Sequence, residues 1–142
     1  MMSLHPHLNS PLQLLEKFGS VRPEEAPCVR GTYMVINRKT CCAYFGQSED
    51  VCRRLKAHRS NLRSGIHPNA LLQASWDADG EAAFSYCILN ISSNDALAFN
   101  YEGYYIRQFL GTFTLNYNTR ERNEMRSRVA ARWKKRLHSS IA

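Results

Sequence analysis

Two residues that could do chemistry stand one turn apart in a segment with the pattern of an amphipathic helix. At 100° per residue, Val51, Leu55 and Leu62 lie within about 40° of one another and form the apolar stripe of this helix. His58 falls inside the stripe, and Arg54 lies at its edge. A guanidinium binds phosphates and carboxylates in a planar geometry, whereas an imidazole exchanges protons near neutral pH. The pattern therefore marks Arg54 and His58 as candidate functional residues.

A carboxylate occupies a similarly unexpected place in a later helix. Glu102 has Ala98 one turn before it and Ile106 one turn after it, so it lies on an apolar face. Such a carboxylate is costly unless it is paired, protonated or bound to a metal ion. Gly103 costs the helix roughly 1 kcal/mol relative to alanine, a local inconsistency of the kind that functional sites tolerate. From the residues alone, Glu102 is either a salt-bridge partner of Arg54 or a metal ligand.

The net charge of +7 is concentrated at the C-terminal end of the chain. Residues 117–142 carry a net charge of +6, and the remaining residues are close to neutral. A basic tail on a nearly neutral body is typical of a protein that binds a polyanion, although a solvated helix has the same composition. The basic residues of this tail are Arg120, Arg122, Arg126, Arg128, Arg132, Lys134, Lys135 and Arg136.

The cysteines and the hydropathy indicate a cytoplasmic protein. The cysteines number five and include an adjacent pair, which favours reduced thiols over a disulfide framework. A zinc site built from Cys41, Cys42, Cys52 and His58 is conceivable, but the spacing fits no standard zinc pattern. The sequence contains no apolar run long enough to span a bilayer and no signal peptide at its start, so we expect no membrane association.

The elements that must position these residues alternate between helix and strand periodicity, which predicts an α+β fold. A short helix starts at Pro11, and residues 22–27 read as a linker. Strands over 31–37 and 42–46 form a hairpin, and Ser48 caps the helix that carries Arg54. A second helix runs from Pro68 to Gly80, a third strand covers 83–89, and a last helix starts at Asn94 or Asp95 and ends after Phe109. The chain therefore divides into an N-terminal extension (1–30), a central domain (31–118) and the basic helical tail (119–142).

Short motifs in the central domain resemble those of the GIY-YIG nucleases, and in particular the catalytic domains of phage intron-encoded homing endonucleases. Each motif alone is weak, and the match depends on their order and spacing. The motifs are Gly31-Thr32-Tyr33, Tyr44-Phe45-Gly46, Arg54 to His58, His67-Pro68-Asn69 followed by Leu72-Gln73 and Trp76, Gly80-Glu81 with Phe84, Glu102 to Ile106, and Tyr117-Asn118. Thr32 and Phe45 depart from the usual Ile or Val, and both alternate away from the tyrosines on their strands.

The resemblance implies a three-stranded antiparallel sheet flanked by helices, and a metal-dependent endonuclease activity. It implies that Glu102 holds Mg²⁺, for which Mn²⁺ can substitute, and that double-stranded DNA is the substrate. The implied catalytic residues are Tyr33, Tyr44, Arg54, His58, His67 and Asn118. His67 has an alternative role as a helix-start residue, and Asn116 is an alternative to Asn118 as the closing asparagine of the motif. The short basic tail would read little sequence by itself, so a homodimer is one way to increase specificity.

Three alternatives remain open at this stage. A restriction-like or repair nuclease could use the same domain, the substrate could be RNA, and a non-catalytic DNA-binding protein could keep the fold. The intact set of candidate catalytic residues argues against the last of these.

Overall fold

In the computed structural model, three strands form one antiparallel sheet in the order β2-β1-β3. The structure describes residues 10–91, 95–109 and 113–116, with the backbone alone for 95–100. The strands are β1 (Gly31–Asn37), β2 (Cys42–Ser48) and β3 (Phe84–Ile91). Every residue of the central strand β1 is buried, as expected for a strand that is paired on both edges and covered on both faces. The predicted hairpin is confirmed, and β2 runs two residues further than predicted.

Four helices surround the sheet among the described residues, namely α1 (Pro11–Phe18), α2 (Val51–Ser64), α3 (Ala70–Asp79) and α4 (Asp95–Phe109). The sequence predicted each of them, but two start later than expected. Asp50, rather than Ser48, caps α2, because its carboxylate accepts the Arg53 N–H at 3.0 Å. Asn69 caps α3 by accepting the Leu72 N–H at 2.8 Å, so Pro68 stands before the helix.

The two faces of the sheet carry separate hydrophobic clusters, because side chains alternate along each strand. Under α2 and α3 the buried residues include Tyr33, Val35, Leu55, Leu72 and Trp76. Under α1 and α4 they include Leu14, Met34, Phe45, Ile106 and Phe109. The fold class is thus α+β, with helices on both faces of a small antiparallel sheet.

The segment that precedes β1 packs more closely than the expected linker. Pro23 and Ala26 are buried around a short 3₁₀ turn (Pro23–Glu25), and the Val21 N–H donates to the Tyr86 carbonyl at 2.8 Å. Glu24 forms an ion pair with Arg59 of α2 at 2.6 Å. The prediction of a linker was wrong for this segment, because Pro23 starts the short turn and is itself buried.

All five cysteines are free. Among the described residues, no group of three or more His, Cys, Asp or Glu side chains is arranged to hold a metal ion, which rules out the zinc arrangement considered above. No helix in the described ranges is long and apolar enough to cross a membrane.

Candidate active site

The first part of the site is the contact between neighbouring residues of β1 and β2. Tyr33 of β1 is the pairing partner of Gly46 of β2. A Cβ atom added at Gly46 would overlap the phenol oxygen and ring of Tyr33, so only glycine leaves room for this ring. The two motifs that carry these residues therefore meet across the hairpin, with the glycine of one accommodating the tyrosine of the other.

Tyr44 and Arg54 lie beside this tyrosine. The ring of Tyr44 meets the imidazole of His58 edge-on, with centroids 5.1 Å apart. Arg54, one turn before His58, lies close enough to Tyr33 and Tyr44 to interact electrostatically with both. Burial lowers the pKa of Arg54, but the two hydroxyls outweigh it and the net pKa is raised, so the guanidinium stays charged. Arg54 is exposed, which leaves its cation accessible to an anionic ligand.

His58 and His67 connect to Tyr33 in a row. The Tyr33 hydroxyl lies 2.6 Å from His58 Nε2, and His58 Nδ1 lies 2.7 Å from His67 Nε2. Burial, together with the smaller effects of Arg54 and His67, lowers the pKa of His58 to about 3. Burial and then Arg54 also lower the pKa of His67. Both imidazoles are therefore neutral at physiological pH.

Glu102 reaches the site from α4, which packs against β1 and β2. Burial raises the pKa of Tyr33 and that of Tyr44, and the nearby carboxylate of Glu102 raises each of them further. Glu102 is half-buried, whereas Tyr105 and Ile106 on the same helix are fully buried. The structure thus brings Tyr33, Tyr44, Arg54, His58 and His67 together and puts Glu102 within electrostatic reach of the two tyrosines.

Asn116, which lies 71 residues after Phe45 in the sequence, binds the backbone of β2 through its side chain. Its side-chain oxygen accepts the Phe45 N–H at 2.9 Å, and its side-chain nitrogen donates to the Phe45 carbonyl at 2.6 Å. Phe45 stands between Tyr44 and Gly46, so this pair of bonds holds the strand segment that builds the site. The resemblance implied Asn118 as the closing asparagine, with Asn116 as the alternative. Asn116 makes these bonds, and Asn118 lies outside the described residues.

The comparison with known families decides what the domain is. The model of the GIY-YIG catalytic domain matches residues 29–116, well over half of the chain. The chain belongs to the GIY-YIG family. The candidate site residues therefore lie in an endonuclease domain of the GIY-YIG type, as the motifs predicted.

Solved structures agree with this assignment. A mutant of the catalytic domain of intron endonuclease I-TevI is 28% identical and aligns with a TM-score of 0.50 over 56% of this chain and 81% of that one. The catalytic domain of homing endonuclease I-TevI aligns with a TM-score of 0.54 over 62% of this chain and 99% of that one. At 24% identity, the second likeness establishes the GIY-YIG fold. No match was found among curated proteins.

Some predicted site residues of this GIY-YIG protein lie outside the described residues, namely Asn118 and all basic residues of the tail. Sequence reasoning also left two contributors without a role. Gly46 was recognised only as part of a motif, because its contact with Tyr33 depends on how two strands pair. Asn69 was noted in its motif, and its position before a helical run was the signal for a cap.

Proposed function

We propose that this protein is a metal-dependent endonuclease that hydrolyses phosphodiester bonds in double-stranded DNA. One observation supports this most strongly. A charged, exposed guanidinium lies against two tyrosine hydroxyls, with a neutral imidazole behind one of them and a carboxylate nearby. Phosphodiester hydrolysis needs charge neutralisation at the phosphate, an oriented water and assistance to the leaving oxygen, and this group of side chains can supply each of them.

Arg54 is the residue that neutralises the scissile phosphate. Its planar guanidinium can donate to two phosphate oxygens, and it lies beside Tyr33 and Tyr44, with which it interacts electrostatically. A cation fixed in advance by its neighbours costs no reorganisation when charge develops in the transition state. Arg54 would therefore lower the barrier to cleavage more than a mobile surface arginine could.

Tyr33 and Tyr44 orient the attacking water and the phosphate through their hydroxyls. Tyr33 is held by Gly46 below its ring and by His58 at its oxygen, so its position is fixed on two sides. Tyr44 is less buried than Tyr33 and shares the Arg54 guanidinium, which suits a contact with the substrate. Precise orientation of reacting groups contributes much of an enzyme's rate enhancement.

Glu102 is the residue that would hold the metal ion, Mg²⁺ or Mn²⁺ in its place. A single carboxylate suits Mg²⁺, which keeps most of its waters and takes few protein ligands. The donor chemistry fits this kind of ion, because a carboxylate oxygen is the hard ligand that Mg²⁺ prefers, and Glu102 lies within electrostatic reach of both tyrosines. When bound, the metal would neutralise charge on the phosphate and favour ionisation of a bound water.

The basic tail (119–142) would bind the DNA backbone, through the arginines and lysines named above. Such contacts make affinity fall steeply with salt concentration. We also propose a homing type of activity, on a phage-encoded protein. The likeness to the catalytic domain of a protein described as an intron and homing endonuclease supports the homing type, whereas the phage origin follows only from the resemblance of the motifs. A restriction-like or repair role is the alternative, and mapping of cut sites in a genomic library separates a single long site from a short recurrent one. A homodimer would double the contacts with DNA, and gel filtration with light scattering tests it.

The decisive experiment is plasmid nicking by the wild type and by Glu102→Gln, with Mg²⁺ and with a chelator. We expect the chelator to abolish nicking and Glu102→Gln to slow it by at least about a hundredfold. Glu49→Gln is a matched control, because Glu49 is exposed and pairs only loosely with Arg30, at 3.4 Å. A wild type that cuts no duplex with either metal would instead favour a non-catalytic DNA-binding protein. A matched RNA substrate reports whether RNA is cut.

A further inference from the structure

The row of imidazoles ends on a backbone amide. His67 Nδ1 lies 3.0 Å from the backbone nitrogen of Asn69, which carries the hydrogen of that bond. The row therefore runs from Asn69 through His67 and His58 to the phenol oxygen of Tyr33, with ring contacts of 2.7 and 2.6 Å.

A backbone N–H can only donate, and this fixes the direction of every bond in the row. His67 Nδ1 must accept from Asn69, so a neutral His67 carries its hydrogen on Nε2. His67 Nε2 then donates to His58 Nδ1, and a neutral His58 in turn carries its hydrogen on Nε2 and donates to Tyr33. The reverse order would point the hydrogen of His67 Nδ1 at the hydrogen of the Asn69 amide, or require His67 to lose both ring protons.

The donor at the end of the row is held firmly in place. The Asn69 side chain accepts the Leu72 N–H at 2.8 Å and donates to the Asn116 carbonyl at 2.6 Å. The backbone N–H of His67 donates to the side-chain oxygen of Gln73 at 3.0 Å. The loop between α2 and α3 is therefore hydrogen-bonded both to α3 and to Asn116. These bonds leave the imidazole ring of His67 little freedom to rotate by 180°.

The direction of these bonds determines how the Tyr33 hydroxyl is used. Its oxygen accepts from His58, so its own hydrogen is not used in this row of bonds. In this arrangement His58 has no free lone pair, since Nδ1 is occupied by His67 and Nε2 carries the hydrogen given to Tyr33. His58 therefore orients the phenol rather than removing its proton.

We infer that His67 is a positioning residue that, fixed by the Asn69 backbone amide, locks His58 in the Nε2–H form and thereby presents the Tyr33 hydroxyl to the substrate. This role replaces both the direct catalytic role and the helix-start role that the sequence suggested for His67. The inference rests on the proposed nuclease function for its effect on rate, but its structural content does not depend on activity.

The test uses the full chain, isotopically labelled at the histidine ring nitrogens and free of substrate. Long-range proton–nitrogen spectra report which ring nitrogen of each histidine carries hydrogen. We expect His58 and His67 each to carry it on Nε2 at neutral pH. Hydrogen on Nδ1 of either ring would overturn the inference. Because these spectra need no DNA, this failure is distinguishable from a failure of the proposed function, which the nicking assay reports by itself.

Two variants at one position measure the effect on the reaction. His67→Leu removes the donor to His58, whereas the amide of His67→Gln can still donate. In His67→Leu we expect the spectra to show both the Nδ1–H and the Nε2–H tautomer of His58. We also expect roughly a tenfold to hundredfold loss in kcat with little change in KM. His67→Gln should recover part of the Nε2–H population of His58 and part of the lost kcat. The titratable and charged groups that face His58 are Tyr33, Tyr44, Arg54 and His67. Because His67 lowers the pKa of His58, its replacement by leucine should shift the apparent pKa in the pH profile of kcat upward. Such a shift reports His58 itself.

Ile66→Ala is the matched control, because Ile66 is the neighbouring residue and is 69% exposed. It should leave kcat and the spectra unchanged. An unaltered His58 spectrum in His67→Leu, or a loss confined to KM, would contradict the inference. If His67→Leu does not fold, the wild-type spectrum and the Gln variant still decide between the two outcomes.

Discussion

The phenol of Tyr33 occupies the space that any side chain at Gly46 would need. We therefore expect Gly46→Ala to displace Tyr33 from His58 and Arg54 and to reduce the rate of plasmid nicking by about a hundredfold, the cost of a misplacement of about 1 Å. The measurement is kcat under saturating DNA, together with the unfolding temperature.

Gly103→Ala is the matched control for that substitution. No atom of the described residues lies within 4 Å of a Cβ built at this helical position, so alanine fits without a clash. Alanine should raise the free energy of unfolding by about 1 kcal/mol and leave nicking unchanged. Equal activity of the two alanine variants would mean that the position of Tyr33 is unimportant for the cut.

Arg54 offers a test of charge against geometry. Arg54→Ala should slow nicking by about a hundredfold to a thousandfold, because it removes the cation from the phosphate and from beside both tyrosines. Arg54→Lys restores the charge without the planar pair of donors, so we expect only partial recovery. Arg53→Ala, an exposed neighbour on the same helix, should change the rate little. Full activity in Arg54→Lys would show that charge alone is sufficient.

The buried histidine makes stability depend on pH. Burial holds the pKa of His58 near 3, below the value of about 6.5 for the unfolded chain, so the unfolded state binds the proton first. The stabilisation is fully present above pH 6.5 and is lost as pH falls toward 3, with a slope of up to about 1.4 kcal/mol per pH unit. Denaturant unfolding at pH 7.0, 6.0 and 5.0 measures the slope, and comparison with a variant that lacks the imidazole separates it from the carboxylates, which begin to titrate near pH 5.

The control for this dependence is His58→Gln, which removes the titrating group. The slope between pH 6.5 and 5 should become shallower in this variant, although His67, whose pKa is also lowered, keeps part of it. An identical slope in the two proteins would mean that His58 is not held neutral in the folded state.

The sequence predicted the fold well because each element carries its own periodicity. Alternation predicted β1 and the hairpin, and the stripe of α2 placed Arg54 and His58 on one edge of a helix. The contact of His58 with His67 was beyond such reasoning, because it joins a helix to a loop nine residues later through ring nitrogens. The role of Gly46 depends on cross-strand register, which one strand cannot report.

A buried hydroxyl in the core provides a test of stability alone. The Tyr86 hydroxyl is buried and has no hydrogen-bond partner among the described residues. A buried polar group without a partner is unfavourable, so we expect Tyr86→Phe to raise the free energy of unfolding by about 1 kcal/mol, measured by denaturant titration. Activity should stay the same. A loss of stability would mean that the hydroxyl binds an ordered water.

Helix α1, which precedes the region that the family model matches, is expected to stabilise the sheet by packing against it. Leu14 of α1 is fully buried in the cluster that also holds Met34 and Phe45, on the face of the sheet opposite Tyr33. Leu14→Ala should leave a cavity and lower the free energy of unfolding by about 3 kcal/mol. Glu16→Ala, on the exposed side of the same helix, is the control and should cost less than about 0.5 kcal/mol. A small loss in Leu14→Ala would mean that α1 docks only weakly, and the nuclease domain would then be stable without it.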